Sequence, residues 1–360
     1  MKLSDKGTVY IIAEAGVNHN GDFEKAMALV EVAADAGADA VKFQTFNARL
    51  LAAQSAPKAA YQKRSTGEAD SQLEMLLKLE LPHEWHFKLQ ARCKELGISF
   101  LSTAFDRESL DFLNTLELPF YKIASGEITN GPMLWRFAQA GKSIILSTGM
   151  ATLGEIEQAL AVLAHGMTHS EEPKSLEEVW RNWAQPHARQ LVDDRVSLLH
   201  CTSQYPARLD EVNLKAMDTL SQTFQLPVGY SDHTEGVLVS IAAVARGASI
   251  IEKHFTLDRG LPGPDHGASL NPIELKLMVE QIRAVEAALG AHRKVPQGSE
   301  WDTRKAARQS IVIAKPVKEG QVIRMEDLTT ARAGGGIMPI HIWDLVGTTA
   351  KQSYEIGDVL

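Results

Sequence analysis

The sequence predicts a (β/α)8 barrel followed by a small, separate β-rich domain, and three observations lead there. Eight short apolar runs rich in Val, Ile and Phe recur before about residue 285, with longer helical patterns between them. Several of those helical patterns close on glycine just before an apolar run: AADAGADAVKF, CKELGISFLST, QAGKSIILST and VARGASIIEKHF. After Leu289 the alternation stops and short β-like runs replace it.

Taken in order, the expected strands are Val9–Ala13, Ala40–Phe43, Ser99–Ser102, Phe120–Ala124, Ile144–Ser147, Val196–His200, Val228–Ser231 and Ile250–His254. Continuous apolar strands alternating with helices imply a parallel sheet buried on both faces. Glycine suits the left-handed position that ends a helix, so each Gly marks the handover to the next strand. Eight such units fit the size of a closed barrel. A doubly wound open sheet is the alternative, but no Gly-x-Gly-x-x-Gly follows the first strand.

Two long connections interrupt the spacing, Leu50 to Glu80 and Leu163 to Arg195. The second contains HSEEPKSLEEVWRNWAQPHARQ and is expected to be a surface insertion, with Trp180 and Trp183 packing locally. The segment GAHRKVPQGSEWDTRK has Gly, Pro and charge but no apolar period, which marks a linker. The expected domains are therefore a barrel over 1–288, a linker over 289–307 and a β-rich domain over 308–360 with KEGQ, RAGGG and EIGD turns.

Composition narrows the function. The 360 residues are 44% hydrophobic and 23% charged, with a net charge of −8, ordinary for a globular protein. That charge argues against an extended nucleic-acid surface. No apolar run is long enough to span a membrane, and Met1 to Tyr10 lacks an apolar signal core. The two cysteines, Cys93 and Cys201, have no metal or redox spacing. A cytoplasmic location is the expectation.

The carboxyl ends of parallel barrel strands share one mouth, so polar residues there converge from distant parts of the chain. Glu14, Asn18 and His19 stand at or after the first strand, Lys42 and Gln44 at the second, and Thr103 at the third. Lys122 leads into Ser125, Gly126 and Glu127 on the fourth; Ser147 ends the fifth. His200, Thr202, Ser203 and Tyr205 follow the sixth, Asp232 and His233 the seventh, and Glu252, Lys253 and His254 lie on the eighth. Singly, such residues are ordinary surface or turn formers. Together, two lysines, several hydroxyls and Gly-bounded turns make a receptor for phosphate and carboxylate. His233 and His254 follow adjacent strands, so their imidazoles can converge on a metal. That pair suits Mn²⁺, Zn²⁺, Fe²⁺ or Co²⁺ better than Ca²⁺. The alternative is one histidine in a core hydrogen bond and the other in catalysis.

The blocks AEAGVNHNG, VKFQTF, YKIASGE, ILSTGM, LHCTSQYP, GYSDHT, EKHFT and PGPDH, in that order, resemble the sialic acid synthase family. The tail from Arg308 resembles the antifreeze-like (SAF) β-clip domain. This resemblance implies condensation of phosphoenolpyruvate with an open-chain N-acylated hexosamine and water. N-acetylmannosamine is the first choice, giving N-acetylneuraminic acid and phosphate. The alternative is a legionaminic acid synthase using 2,4-diacetamido-2,4,6-trideoxymannose. A rival of another class is a non-enzymatic antifreeze-like binding protein, which would need none of the strand-end Lys, Glu and His.

By the same resemblance, Lys42, Thr103, Lys122, Ser125, Ser147 and Ser203 would hold phosphoenolpyruvate. His233 and His254 would bind the metal, Mn²⁺ first and Mg²⁺ or Co²⁺ as alternatives, and Asp265 would hold a metal-bound water. Glu14, Gln44, Glu127 and Tyr205 would face the sugar, with Glu14 or Glu127 moving protons. Arg332 would reach the active site of a partner in a domain-swapped homodimer and contact the N-acyl group. The family often has Asn where Ser203 stands, and ARAGGG replaces a more usual Arg-Pro-Gly turn.

Overall fold

The computed structural model describes residues 7–67 and 70–360. Among them the chain forms two compact units, one up to Gly290 and one from Ala291 to Leu360. The first unit holds strands β1 (Tyr10–Gly16), β2 (Ala40–Thr45), β3 (Ser99–Ala104), β4 (Phe120–Ile123), β5 (Ser143–Ser147), β6 (Val196–His200), β7 (Val228–Asp232) and β8 (Ile250–His254). All are parallel, in the order β3-β2-β1-β8-β7-β6-β5-β4. The two ends of that ladder, β3 and β4, lie side by side and nearly close the barrel.

Around it run α1 (Phe23–Asp35), α2 (Ala48–Leu51), α3 (Ala60–Thr66), α4 (Gln72–Leu77), α5 (His83–Leu96), α6 (Arg107–Leu113), α7 (Gly131–Gln139) and α8 (Leu153–Thr168). They are followed by α9 (Leu176–Trp183), α10 (Pro186–Arg195), α11 (Ala216–Phe224), α12 (Leu238–Ala245) and α13 (Pro272–Leu289). Their starts follow from capping chemistry. The Asp22 carboxylate accepts from the N–H groups of Glu24 and Lys25 at the head of α1, and Thr152 and Glu155 form a capping box on α8. Gly97 ends α5 in the left-handed conformation, as the glycine signal predicted.

Strand alternation divides the barrel. One parity faces the helices and joins the large outer core; the other faces inward. Tyr10, Ile12, Ala40, Leu101, Phe120, Ile145, Leu199 and Ile250 form a dry inner plug. Above it, two residues further along the strands, the inward positions become polar. That change of chemistry within one parity positions the site.

Three local expectations are corrected. Leu163 to Gly166 belong to the buried part of α8, so the second insertion starts after Thr168. Its amphipathic α9 packs Val179 and Trp183 inward and leaves Trp180 half-exposed. The supposed linker contains α14 (Trp301–Ala307), a short exposed helix whose few apolar residues gave no period. The expected fourth strand ends one residue early, at Ile123, where Ser125–Glu127 begins a tight turn.

In the second unit, β9 (Gln309–Ile313) pairs antiparallel with β10 (Leu328–Arg332). Ile311, Ile313, Val317, Ile323, Leu328 and Ala350 form its own core, and α15 (Ile342–Leu345) follows. No helix among the described residues is long and apolar enough to cross a membrane.

Candidate active site

The inward polar positions above the plug open into one cavity of about 370 Å³ at the carboxyl end of the barrel. It is lined by Glu14, Lys42, Gln44, Thr103, Lys122, Ser125, Ser147, Ser203, Tyr205, His233, His254 and Asp265, all expected from the sequence, together with Ser231, Cys201 and Glu252. Glu127 is not among the lining residues. It sits on the tight turn after β4, buried, where its carboxylate accepts from Asn130 Nδ2 at 2.7 Å. Burial raises its pKa above the usual carboxylate range. Arg332 lies in the second unit, exposed at the last position of β10 opposite Gln309.

Glu252 organises the floor of the cavity. Its carboxylate lies 3.2 Å from Lys122 Nζ and 3.6 Å from Lys42 Nζ, and accepts from Ser231 Oγ at 2.8 Å. Lys42 also lies 2.6 Å from Glu14 and donates to Thr103 Oγ1 at 3.2 Å. These charges are almost wholly shielded from solvent, so each is tolerable only because it is paired. Two nearby ammonium groups hold Glu252 ionised, well below the usual carboxylate range in spite of its burial. Glu14 goes the other way: burial pushes it up to about 7, with the Glu252 charge adding to the rise and Lys42 opposing it. A carboxyl at that value exchanges its proton near neutral pH.

A second cluster surrounds Gly149. Gly149 N–H donates to Ser125 Oγ at 3.0 Å, and Ser125 Oγ lies 3.2 Å from Cys201 Sγ. A Cβ at Gly149 would fall 2.3 Å from Ser203 Oγ and 2.8 Å from both Cys201 Sγ and Ser125 Oγ. Only glycine lets the backbone come this close to three side chains. Beside it Ser147 Oγ is buried without a partner. The hydroxyls of Ser125, Ser147 and Ser203 and the ammonium of Lys122 thus line one corner, the chemistry of an oxyanion receptor.

The two histidines meet on the other side. Their rings are 5.6 Å apart, and Tyr205 packs 4.1 Å from His233 and 5.6 Å from His254. His233 Nδ1 is 2.7 Å from the Thr202 carbonyl, so Nδ1 carries the proton and Nε2 keeps its lone pair. His254 Nδ1 is buried without a hydrogen-bond partner and stands 4.0 Å from the Asp265 carboxylate. Burial keeps both rings neutral, His233 lowered to about 4 and His254 well below its usual value. Burial lifts Asp265 to about 6. Two neutral imidazoles, one with an orphaned nitrogen, are the donor type a divalent transition ion takes, while no three ligating side chains gather closely enough to hold one among the described residues. Orientation of His233 by a backbone carbonyl is the support such ligands use.

The loop that carries Asp265 is tied to the first strand. Asn18 Nδ2 donates to Phe255 O at 2.7 Å and Ser269 Oγ at 3.0 Å, and that hydroxyl donates to Asp265 O at 2.7 Å. Gly16, in a left-handed conformation at a bulge in β1, lets Glu14, Gln44 and His254 converge: a Cβ there would lie 3.3–3.5 Å from all three.

Several strand-end residues do not reach the cavity. Asp232 and Lys253 point outward and pair with each other at 3.2 Å, fully buried; Asp232 also accepts from Thr234 and Ser240. His19 is buried beside Phe43 and Trp85, and His200 Nε2 donates to Val212 O. Both are structural. Conversely, Ser231 and Cys201 were missed as site residues, and Glu252 was named at its strand end but given no role. The signal was available, since each is two residues from an identified neighbour: Ser231 from His233, Glu252 from His254, and Cys201 from Ser203.

Residues 29–294 match the NeuB family and residues 308–360 the SAF domain. The chain is 47% identical over 350 residues to the N,N'-diacetyllegionaminic acid synthase of Campylobacter jejuni, covering 97% of this chain and 98% of that protein. It is 45% identical over 353 residues to the protein of the same name in Legionella pneumophila, covering 98% and 93%. Among solved structures it is similar to N-acetylneuraminic acid (sialic acid) synthetase of Leptospira borgpetersenii. The TM-score is 0.66 and the identity 33%, over 82% of this chain and 90% of that one.

Proposed function

The chain belongs to the NeuB family, and from that premise we propose that it condenses phosphoenolpyruvate with 2,4-diacetamido-2,4,6-trideoxymannose and water, giving N,N'-diacetyllegionaminic acid and phosphate. Two relatives at 45–47% identity carry the legionaminic name over nearly their whole length. That moves this reading ahead of N-acetylmannosamine, the first choice on sequence alone. N-acetylmannosamine remains the second reading, supported by the 33% identical sialic acid synthetase.

The observation that carries the condensation is the pairing of Lys42 and Lys122 with one buried carboxylate, Glu252, on the cavity floor. An incoming phosphoenolpyruvate brings negative charge to ammonium groups already fixed in place, with Thr103, Ser125, Ser147 and Ser203 as further donors. His233 and His254 would hold the divalent metal, Mn²⁺ by family resemblance, with Asp265 beside them. When bound it supplies Lewis-acid polarisation of the sugar's aldehyde oxygen. Carbon 3 of phosphoenolpyruvate forms the new bond to the aldehyde carbon, whose oxygen takes a proton. Water adds at carbon 2 and loses a proton, and phosphate leaves with the bridging oxygen. Glu14, half-protonated near neutral pH and close to Gln44 and Lys42, is the group of this chain best placed to carry a proton to the aldehyde oxygen. Holding both reactants in line removes ~7–11 kcal/mol of entropic barrier at ideal alignment.

The test is phosphate release with phosphoenolpyruvate and each aldose in ¹⁸O water, with the product weighed by mass spectrometry. One ¹⁸O in the nine-carbon acid and none in the phosphate is the expected result. Release without an aldose, or none with either, refutes the condensation.

A further inference from the structure

Two walls of the cavity differ in chemistry. On the side of β4 to β6 the lining is hydroxylic and cationic: Lys122, Ser125, Ser147 and Ser203. On the side of β1 to β3 the strands themselves give Glu14, Lys42, Gln44 and Thr103, and beyond them the wall is Val17, Ala59, Gln62, Met75, Leu76, Leu79 and Phe105. Most of that second wall comes from the long connection after β2, which has a small core of its own. Val17, Phe46, Ala48, Met75 and Leu79 are its buried members, and Leu51, Leu73, Leu76 and Phe105 pack on them. The wall is therefore a built surface, fixed by its own packing.

Several charged groups of the same connection are engaged elsewhere. Lys58 Nζ donates to Thr66 Oγ1 and Gly67 O, at 3.0 and 3.1 Å. Asp70 pairs with Lys78 at 2.6 Å, Glu74 caps Ser71, and Glu80 accepts from Ala48 N. Gln62, the polar residue this connection adds to the lining, spends its Oε1 on Ala59 N–H at 2.9 Å. None of the lining residues it contributes is charged, among those described.

We infer that this apolar wall, with Leu76 and Phe105 facing the cavity, selects an aldose that presents methyl and acyl-methyl groups where a common hexosamine presents hydroxyls. The inference rests on the proposed condensation and uses its site. The anionic substrate takes Lys42, Lys122 and the hydroxyls, so the aldose extends past Glu14 and Gln44 along the wall. A hydroxyl pressed on that surface loses its water without gaining a partner, whereas a methyl gains contact. An apolar surface rejects an added hydroxyl by ~10- to 100-fold, no more.

The experiment measures kcat/KM for 2,4-diacetamido-2,4,6-trideoxymannose and N-acetylmannosamine in the wild type, Leu76→Gln and Phe105→Tyr. The wild type is expected to prefer the deoxy sugar by ~10-fold or more. Each variant should shrink that ratio ~10-fold, through the KM of the aldose, with the KM of phosphoenolpyruvate within twofold of normal. Phe105→Tyr adds a single oxygen and keeps the ring, so it guards against a Leu76→Gln chain that fails to fold. A wild type that prefers N-acetylmannosamine, or a ratio unmoved in a folded variant, overturns the inference and leaves the condensation standing. Turnover with neither aldose refutes the condensation itself.

Discussion

Replacing Glu252 by Gln separates a floor built for stability from one built to receive an anion. Lys122 has no other carboxylate within ion-pair reach among the described residues, while Lys42 keeps Glu14. At 3.2 Å and an effective dielectric of about 20, the lost attraction is about 5 kcal/mol. Desolvation of the glutamate, no longer incurred, offsets part of it. The amide still accepts from Ser231 and Lys122. Breaking a buried pair from one side typically costs ~3–5 kcal/mol, so the ligand-free protein should lose ~3 kcal/mol against urea.

Phosphoenolpyruvate should reverse the order. In the wild type it must draw both ammonium groups from Glu252, whereas in the variant that competitor is neutral. Affinity should therefore rise ~10-fold, which is ~1.4 kcal/mol, measured by calorimetry and as a larger stabilisation by ligand. If Glu252→Gln is as stable as the wild type, the pairing energy is misjudged. If phosphoenolpyruvate stabilises it less than it does the wild type, the lysines do not receive that anion.

Lys122→Met should raise the KM of phosphoenolpyruvate ~10- to 100-fold, a loss of ~1.5–3 kcal/mol for a charged contact; a rise in the aldose KM instead would reassign the residue. His86 is buried against Phe100 and Phe112, bonded to Thr45 and Pro82, and lowered to about 4 by burial. The unfolded chain binds the proton first, so its contribution is complete above pH ~6.5 and is lost as pH falls towards 4: ~2 kcal/mol by pH 5. His86→Gln should be less stable at pH 7.5 but lose less on acidification, and an unchanged pH dependence would exclude His86 as the cause. The proposed sharing of Arg332 between chains is tested by refolding His254→Ala with Arg332→Ala. Half the dimers are mixed, each with one complete site, so about a quarter of wild-type activity should return; baseline activity in confirmed mixed dimers would refute it.

How far the sequence could be read depended on which physical signal each feature leaves. Strands β1 to β8 were legible because burial on both faces makes their runs continuously apolar, and glycine at the helix ends marks where each begins. The insertion boundary was not. Leu163 to Gly166 looked like the start of a polar segment only because His165 and His169 follow closely. Yet His165 is buried, stacked on His169 and 3.6 Å from Glu178, and the helix runs through it. The small core of α2 to α4 was equally hidden, since Met75 and Leu79 are too few to set a period.

Within the site, position at a strand end was a necessary criterion that parity makes sufficient. In EKH, Glu252 and His254 share the inward face and Lys253 takes the outward one, where it meets Asp232 in the dry outer layer. The ammonium one residue before His254 is thus structural, and the carboxylate before it, named at the strand end but given no role, holds the two lysines that matter. The same rule explains Ser231 beside His233. It also locates where polarity must stop: one step lower on the inward parity, Ile250, Ile12, Leu101 and Ile145 seal the barrel. Water cannot drain through that plug, so the charges above it are solvated only from the mouth. A ligand that covers the mouth strengthens every interaction it makes with them.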